Sequence, residues 1–375
     1  MPADKEKDTT EGSNSPMSLT MKKFVEEDPD ALVTLHLSQR FRYSKIREVD
    51  ETALHAFQRA RFSHLLSLSA VRNDLTALFA EKDGALTGYI IVYTGSRHEI
   101  AGTPQAQVVS CHSTERATIR ALFQEAEKQA VDAGCHYLTA LIPADDNAVK
   151  LELTAQGFSE ECRDFIIRIT EITCTPKRQF TVERGREEDL KSITDLTLLN
   201  ADSLISPYRR VTTEQAHHHI REMLKDLPCW LKGDKDFAVL IARERCSSAI
   251  LGFSLLYLKP PLRDYAMLTA SAANGTAAAP QKAISLSDMF ERSTVDRITG
   301  MAQGYFLFIS VTRGEWGKAV ARHLTAASAS LFKESGFDYF SGEILYGNHN
   351  PEARLKRMYG PLFEIEKLQM VKCLT

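Results

Sequence analysis

The stretch ISVTRGEWGKAVARHLTAASASLFKESGFDYF, Ile309 to Phe340, decides how this chain is read, because VVSCHSTERATIRALFQEAEKQAVDAGCHYL, Val108 to Leu138, follows the same plan. Each begins as an apolar strand, crosses a short polar loop, continues as a long amphipathic helix, and ends on a glycine before a second apolar strand. At one offset of 202 residues, Val109 meets Val311, Gly134 meets Gly336 and Tyr137 meets Tyr339. Ile119, Leu122, Phe123, Ala126 and Ala130 share one face of the first helix, and Val320, Leu324, Ala327 and Leu331 share one face of the second.

The likeness extends outward in both directions. FRYSKIREVD from Phe41 and FTVERGREED from Phe180 both read as a strand entering a helix. LFAEKDGALTGYIIVY and LIARERCSSAILGFSLLY are both strand, polar turn and strand, with Gly88 and Gly252 opening the second apolar run. DDNAVKLELTAQGF and NHNPEARLKRMYGPLF are each an Asx-led short helix, a glycine and an apolar strand. The chain therefore reads as a tandem duplication in the α/β (α+β) class. Residues 1–37 form a polar, disordered leader and lead-in segment, 38–172 a first domain, 173–179 a linker, and 180–375 a second domain. Two insertions mark the second domain: the helix TTEQAHHHIREMLKDL, whose Thr212 and Gln215 are spaced as a capping box, and a low-complexity, mobile stretch at about 259–298.

Composition narrows the function classes. A net charge of −3 and a pI near 6.4 give no reason to expect nucleic acid or an anionic membrane as partner. No apolar run is long enough to span a bilayer and no secretory leader is present, so a cytoplasmic location is expected. Seven scattered cysteines, none in a CxxC spacing, point to a reducing compartment and to no metal site. His217, His218 and His219 are adjacent on a predicted helix, so they diverge and cannot share an ion.

This ordered set resembles the GCN5-related N-acetyltransferase (GNAT) superfamily in a tandem, two-domain form. The resemblance implies two mixed, mainly antiparallel sheets flanked by helices, each splayed between its fourth and fifth strands, with acyl-CoA in the splay. The family's cofactor motif, Q/R-x-x-G-x-G/A, then falls on Trp316, Gly317, Lys318, Ala319, Val320 and Ala321, with Val311 before it and Arg322 after it. A register starting at Arg313 is the alternative. The chemistry suits the residues: small side chains let phosphate oxygens approach the free N–H groups of a helix start, and a cation nearby adds attraction. In the first domain Thr114 to Ile119 occupy the same window, with Glu115 and Ile119 opposed to phosphate, so that copy is expected to bind acyl-CoA poorly.

Acyl transfer to an amine needs a base, an oxyanion donor and an acid. Two family landmarks are missing: YFLFISV carries no carboxylate, and Lys356 stands where the family's tyrosine is expected. Glu343 is the candidate base, and Tyr346 and Tyr359 are candidate acids. Asn350, read as the N-cap before Pro351, is placed beside the CoA arm. The expected activity is transfer of an acetyl group from acetyl-CoA to a small-molecule or peptide primary amine. A non-catalytic ligand- or partner-binding protein, and an aminoacyl or fatty-acyl transferase of tandem architecture, are the other readings.

Overall fold

The computed structural model describes residues 20–23, 29–38, 51–98, 100–113, 115–170, 179–201, 205–234, 236–258, 303–312, 317–345 and 349–374. Tyr346, Arg313, Trp316, the Phe41–Asp50 stretch and the insertion at about 259–298 lie outside them.

In the N-terminal unit the strands are β1 (Thr20–Lys23), β2 (Leu75–Lys82), β3 (Ala85–Arg97), β4 (Pro104–Ser113), β5 (Tyr137–Pro143) and β6 (Ser159–Arg168). Its helices are α1 (Pro29–Leu37), α2 (Glu51–Val71), α3 (Arg116–Asp132) and α4 (Asn147–Ala155). The C-terminal unit has β7 (Phe180–Arg184), β8 (Phe237–Glu244), β9 (Ile250–Tyr257), β10 (Gln303–Val311), β11 (Tyr339–Leu345) and β12 (Phe363–Cys373). Its helices are α5 (Leu190–Leu199), α6 (Thr213–Met223), α7 (Leu227–Leu231), α8 (Gly317–Glu334) and α9 (His349–Tyr359). Residues 20–37, assigned by the sequence to a leader and lead-in segment, thus contribute β1, paired with β2, and α1, whose Leu32 and Val33 are fully buried.

Local signals account for these elements. Asp83 and Gly84 both have positive φ and make the two-residue turn between β2 and β3. Gly134 and Gly336 end α3 and α8 in the left-handed region, where a Cβ would be strained. Thr212 and Gln215 close the capping box of α6, and Asp146 caps α4 through Val149 N–H. The strands are apolar on both faces because helices cover both faces. Ile90 and Val92 pack toward α3 and α4 while Tyr89 and Ile91 pack toward α1 and α2. Leu240 and Leu256 pack toward α8 and α9, and Val239 and Ile241 toward α5–α7.

All twelve strands join one sheet, in the order β1-β2-β3-β4-β5-β12-β6-β11-β10-β9-β8-β7. Among the described residues only β4–β5 and β10–β11 pair in parallel, and each of these pairs comes apart. The first is paired from Gln105–Tyr137 to Val108–Ala140, after which β4 continues to Ser113 and β5 to Pro143. The second is paired from Gln303–Tyr339 to Phe306–Gly342, after which β10 continues to Val311 and β11 to Leu345. These are the two splays.

The repeat does not show that the units exchange their last strands. β12 lies between β5 and β6, and β6 lies between β12 and β11. The order from β4 to β10 is palindromic in equivalent strands, so a local twofold passes between β6 and β12. Core residues cross with the strands: Leu368 and Met370 complete the N-terminal core, and Phe165 and Ile167 the C-terminal one.

A polar joint backs the exchange. Arg209, from the α5–α6 connection, makes a two-pronged contact with Glu161 of β6, donates to Gln105 of β4 at 2.7 Å and lies over the Tyr137 ring. Gln369 of β12 donates to the same carboxylate at 2.9 Å. Burial pushes the Glu161 carboxyl up, but Arg209 outweighs it and holds the group below the usual carboxylate range. His98 beside this joint is pushed down to about 4, by burial first and then by Arg209, with His219 adding and Glu161 opposing. A folded pKa below the unfolded one means that its contribution to stability is complete above about pH 6.5 and is lost as the pH falls toward 4. Allowing for partial solvent screening, the loss is about 2 kcal/mol. Chemical denaturation at pH 7 and 4.5 is expected to show that extra loss in the wild type and not in His98→Gln.

Candidate functional site

The C-terminal splay opens beyond Phe306 and Gly342, and α8 begins at its mouth. Gly317, the first residue of α8, lies hard against the end of β10: a Cβ there would sit 2.8 Å from the Thr312 carbonyl oxygen. The helix start, with its free N–H groups, is therefore folded back onto the strand end, and only glycine fits. Ala319 and Ala321 follow in the first turn and a half, with Ala321 buried and Lys318 and Arg322 exposed. Among the described residues no carboxylate pairs with Lys318.

The two units can be superposed strand by strand, and this corrects the sequence alignment. Gly88 pairs with Ser113, and Gly252 pairs with Val311. A Cβ on Gly88 would strike Ser113 and Thr118, and one on Gly252 would strike Val311 and Val320. Hence Ser113, not Val109, is the equivalent of Val311, an offset of 198 within the fourth strand. From the helix onward the offset is 202, because Thr118 matches Val320 and Ala140 matches Gly342. The gap that the sequence reading did without falls between strand and helix. Five residues join Val311 to Gly317, but only two join Ser113 to Arg116. The window Trp316 to Ala321 is unaffected, since it is set from the helix side.

The N-terminal unit has the shorter connection. Ile119, expected to crowd a phosphate path, instead belongs to the core. Glu115 pairs with Lys82 at 2.7 Å. Arg116 and Arg120 both close on Glu152 of α4, at 2.8 and 2.6 Å, and the Glu152 side chain has no exposed surface. Arg120 first, then Arg116, holds that carboxyl below the usual range against burial.

Of the same three positions, one differs in charge in the C-terminal unit. Three residues separate strand from helix in both β5–α4 and β11–α9, so the offset of 202 carries into α9. Buried Leu153 then matches buried Leu355, Arg116 matches Lys318, Arg120 matches Arg322, and Glu152 matches Arg354. A carboxylate holding two arginines is replaced by a third cation. Burial pushes the Arg354 pKa down, with Tyr359 opposing, and its Nε is buried with no hydrogen-bond partner among the described residues. Sequence reading missed Arg354; the signal was the unlike charge at matched positions, visible only once the helix register was known.

The other sequence candidates separate. Glu343 is exposed on β11, one residue beyond the last parallel pair, and accepts from Tyr305 Oη–H at 2.9 Å. That places its carboxylate at the vertex of the splay. Tyr359 is buried in the core, edge-on to Phe340 with centroids 5.7 Å apart. α9 begins at His349, so Asn350 lies in its first turn rather than before it, and the helix start is two residues earlier than the Asn-Pro pair suggested. Asn200, at the end of α5, also went unread. Its Nδ2 donates to Ser310 Oγ at 2.8 Å on the splayed part of β10. Ser310 accepts that bond and so keeps its own hydrogen for another acceptor. His217–His219 lie on α6, and no three potential metal ligands gather among the described residues. No helix among the described residues is long and apolar enough to cross a membrane.

Comparison with known proteins assigns the fold. No family profile matches the chain and no curated protein matches it. A GCN5-related N-acetyltransferase from Sphaerobacter thermophilus is similar over 95% of this chain and 96% of its own, at 13% identity and a TM-score of 0.51. The GCN5-related glucosamine N-acetyltransferase region of a fungal multi-domain beta-N-acetylglucosaminidase is similar over 95% of this chain, at 11% identity and a TM-score of 0.50; the match spans 38% of that longer chain. A tandem GNAT protein from the clavulanic acid biosynthesis pathway matches 96% of this chain at 13% identity and a TM-score of 0.42.

Proposed function

We propose that this chain, which has the GCN5-related N-acetyltransferase fold, is an acyl-CoA-dependent N-acyltransferase that moves an acetyl group from acetyl-CoA to a primary amine, with the chemistry in the C-terminal unit. One contrast carries the reading: the N-terminal unit has a two-residue connection and a Glu152 bridge where the C-terminal unit has a five-residue connection, small residues and Lys318, Arg322 and Arg354. A diphosphate fits the second environment and is excluded from the first, since backbone N–H groups and cations attract it and a fixed carboxylate repels it.

Acetyl-CoA, when bound, supplies an activated acyl carbon and a thiolate leaving group. Val311, Trp316 to Arg322 and Asn350 are the residues proposed to hold it, joined by Arg354. Glu343 takes the proton that the acceptor ammonium must lose before its nitrogen can attack. Ser310, which accepts from Asn200 Nδ2–H, is the proposed donor to charge developing in the splay. Tyr346 remains a proposed acid.

The absent strand-four carboxylate favours a second reading, a non-catalytic protein that keeps the cradle as a binding site. Calorimetry with acetyl-CoA tests the cradle, and product formation separates the two readings. One site per chain is expected. Ala321→Glu is expected to abolish binding. The exposed Lys318→Glu, which leaves the core untouched, is expected to weaken it about tenfold. No heat with the wild type would overturn the proposal.

A further inference from the structure

We infer that the sheet face opposite α8 carries a track that recognises a cationic amine with an apolar body. This rests on the acyl-transfer reading and names the chemistry of its acceptor. Cross-strand register sets side chains of four strands in one row. Phe237 of β8 faces Tyr257 of β9, Tyr257 faces Tyr305 of β10, and Tyr305 lies beside Ser341 of β11. Trp230 of α7 stacks on Phe237 with centroids 4.5 Å apart and planes at 15°, and Phe237 lies 4.9 Å from Tyr257. At about 4.8 Å per strand the row runs roughly 15 Å across the sheet.

Alternation along the strands identifies the face. Gly304 packs under the Phe332 ring of α8, so Tyr305 points to the other side. Trp230, Phe237, Tyr257 and Tyr305 all stay partly exposed. At its inner end the row reaches Glu343, at the vertex of the splay.

Cross-strand aromatic pairing stabilises a sheet by itself, but it does not explain a stacked tryptophan at the outer end or a carboxylate at the inner one. Ring faces carry negative charge density and attract ammonium groups, with tryptophan and tyrosine the strongest. A carboxylate at the end of such a row adds direct attraction, which a neutral or anionic acceptor does not feel. The apolar body of the amine would lie along the rings and its nitrogen would meet Glu343, the group proposed to remove its proton.

Phenethylamine, cationic at neutral pH, and the neutral 2-phenylethanol test the track by calorimetry on the full chain without CoA. The amine is expected to bind at least tenfold more tightly than the alcohol. Glu343→Gln, an exposed and shape-conserving change, is expected to erase most of that difference, and Trp230→Leu to weaken the amine several-fold. Equal binding of the two probes, no binding of the amine, or amine binding unchanged in Glu343→Gln would overturn the inference. Acetyl-CoA titrated into the same samples separates the two ideas. Amine binding without acetyl-CoA binding removes only the acyl-donor reading; acetyl-CoA binding without amine preference removes only the track.

Discussion

A chain ending at Leu362 is expected to lose the folded state of both units, not only of the one to which β12 belongs by sequence. β12 hydrogen-bonds to β5 from Lys367 to Cys373 and to β6 from Phe363 to Val371. Removing it strips two ladders at once and leaves β5 and β6 as open edges in the middle of the sheet. It also takes Leu368 and Met370 out of the N-terminal core and Phe363 out of the C-terminal core. The point variant Leu368→Ala keeps the ladders and should cost about 2–5 kcal/mol, as a buried leucine truncation does. Hydrogen exchange provides the readout. In Leu368→Ala the amides of Tyr137–Pro143, more than 200 residues away in sequence, should lose protection first. If β5 amides in the truncated chain stayed as protected as in the full one, each unit would be closing its own sheet, and the exchange would be wrong.

Replacing Glu161 with alanine should be the most damaging single substitution at the joint between the units. Arg209 and Glu161 are both almost fully buried, and Arg209 has no other carboxylate among the described residues within ion-pair distance. Truncating the acid leaves a guanidinium in a low-dielectric site with only Gln105 and the Tyr137 ring to face it. The expected cost is about 3–5 kcal/mol. The double variant Glu161→Leu with Arg209→Met removes both charges and should recover most of that loss, because the pair repays little beyond its own desolvation. Denaturant midpoints of the three proteins check this. A double variant as unstable as Glu161→Ala would show that the pair itself, rather than the orphaned charge, holds the joint.

Much of the architecture was legible because the chain says it twice. The helix faces of α3 and α8, the glycines that end them, the Thr212–Gln215 cap and the apolar strands are local patterns, and local patterns survive into the fold. The candidate site was only half legible. The cradle window could be counted back from Gly336, because a helix has a fixed rise. The fourth strand could not be counted from that side, because a four-residue change of offset between strand and helix leaves no trace in the pattern of either flank. Arg354, Asn200 and Ser310 went unread for a related reason: each gains its meaning from a partner or an equivalent position far away in sequence.

By itself, the sequence determined that two like α/β units follow one another, where each long helix begins and ends, and that small residues open the second one. Periodicity and turn chemistry act over a few residues, and those are present in the letters. The tertiary structure decided which strand lies beside which, that β6 and β12 change places, and that Glu152 closes the helix start of the N-terminal unit. A hydrogen-bond ladder is satisfied equally well by any strand of matching length. The choice among partners is made by the packing of whole faces and by buried charges such as Arg209 and Glu161, which no stretch of sequence contains alone.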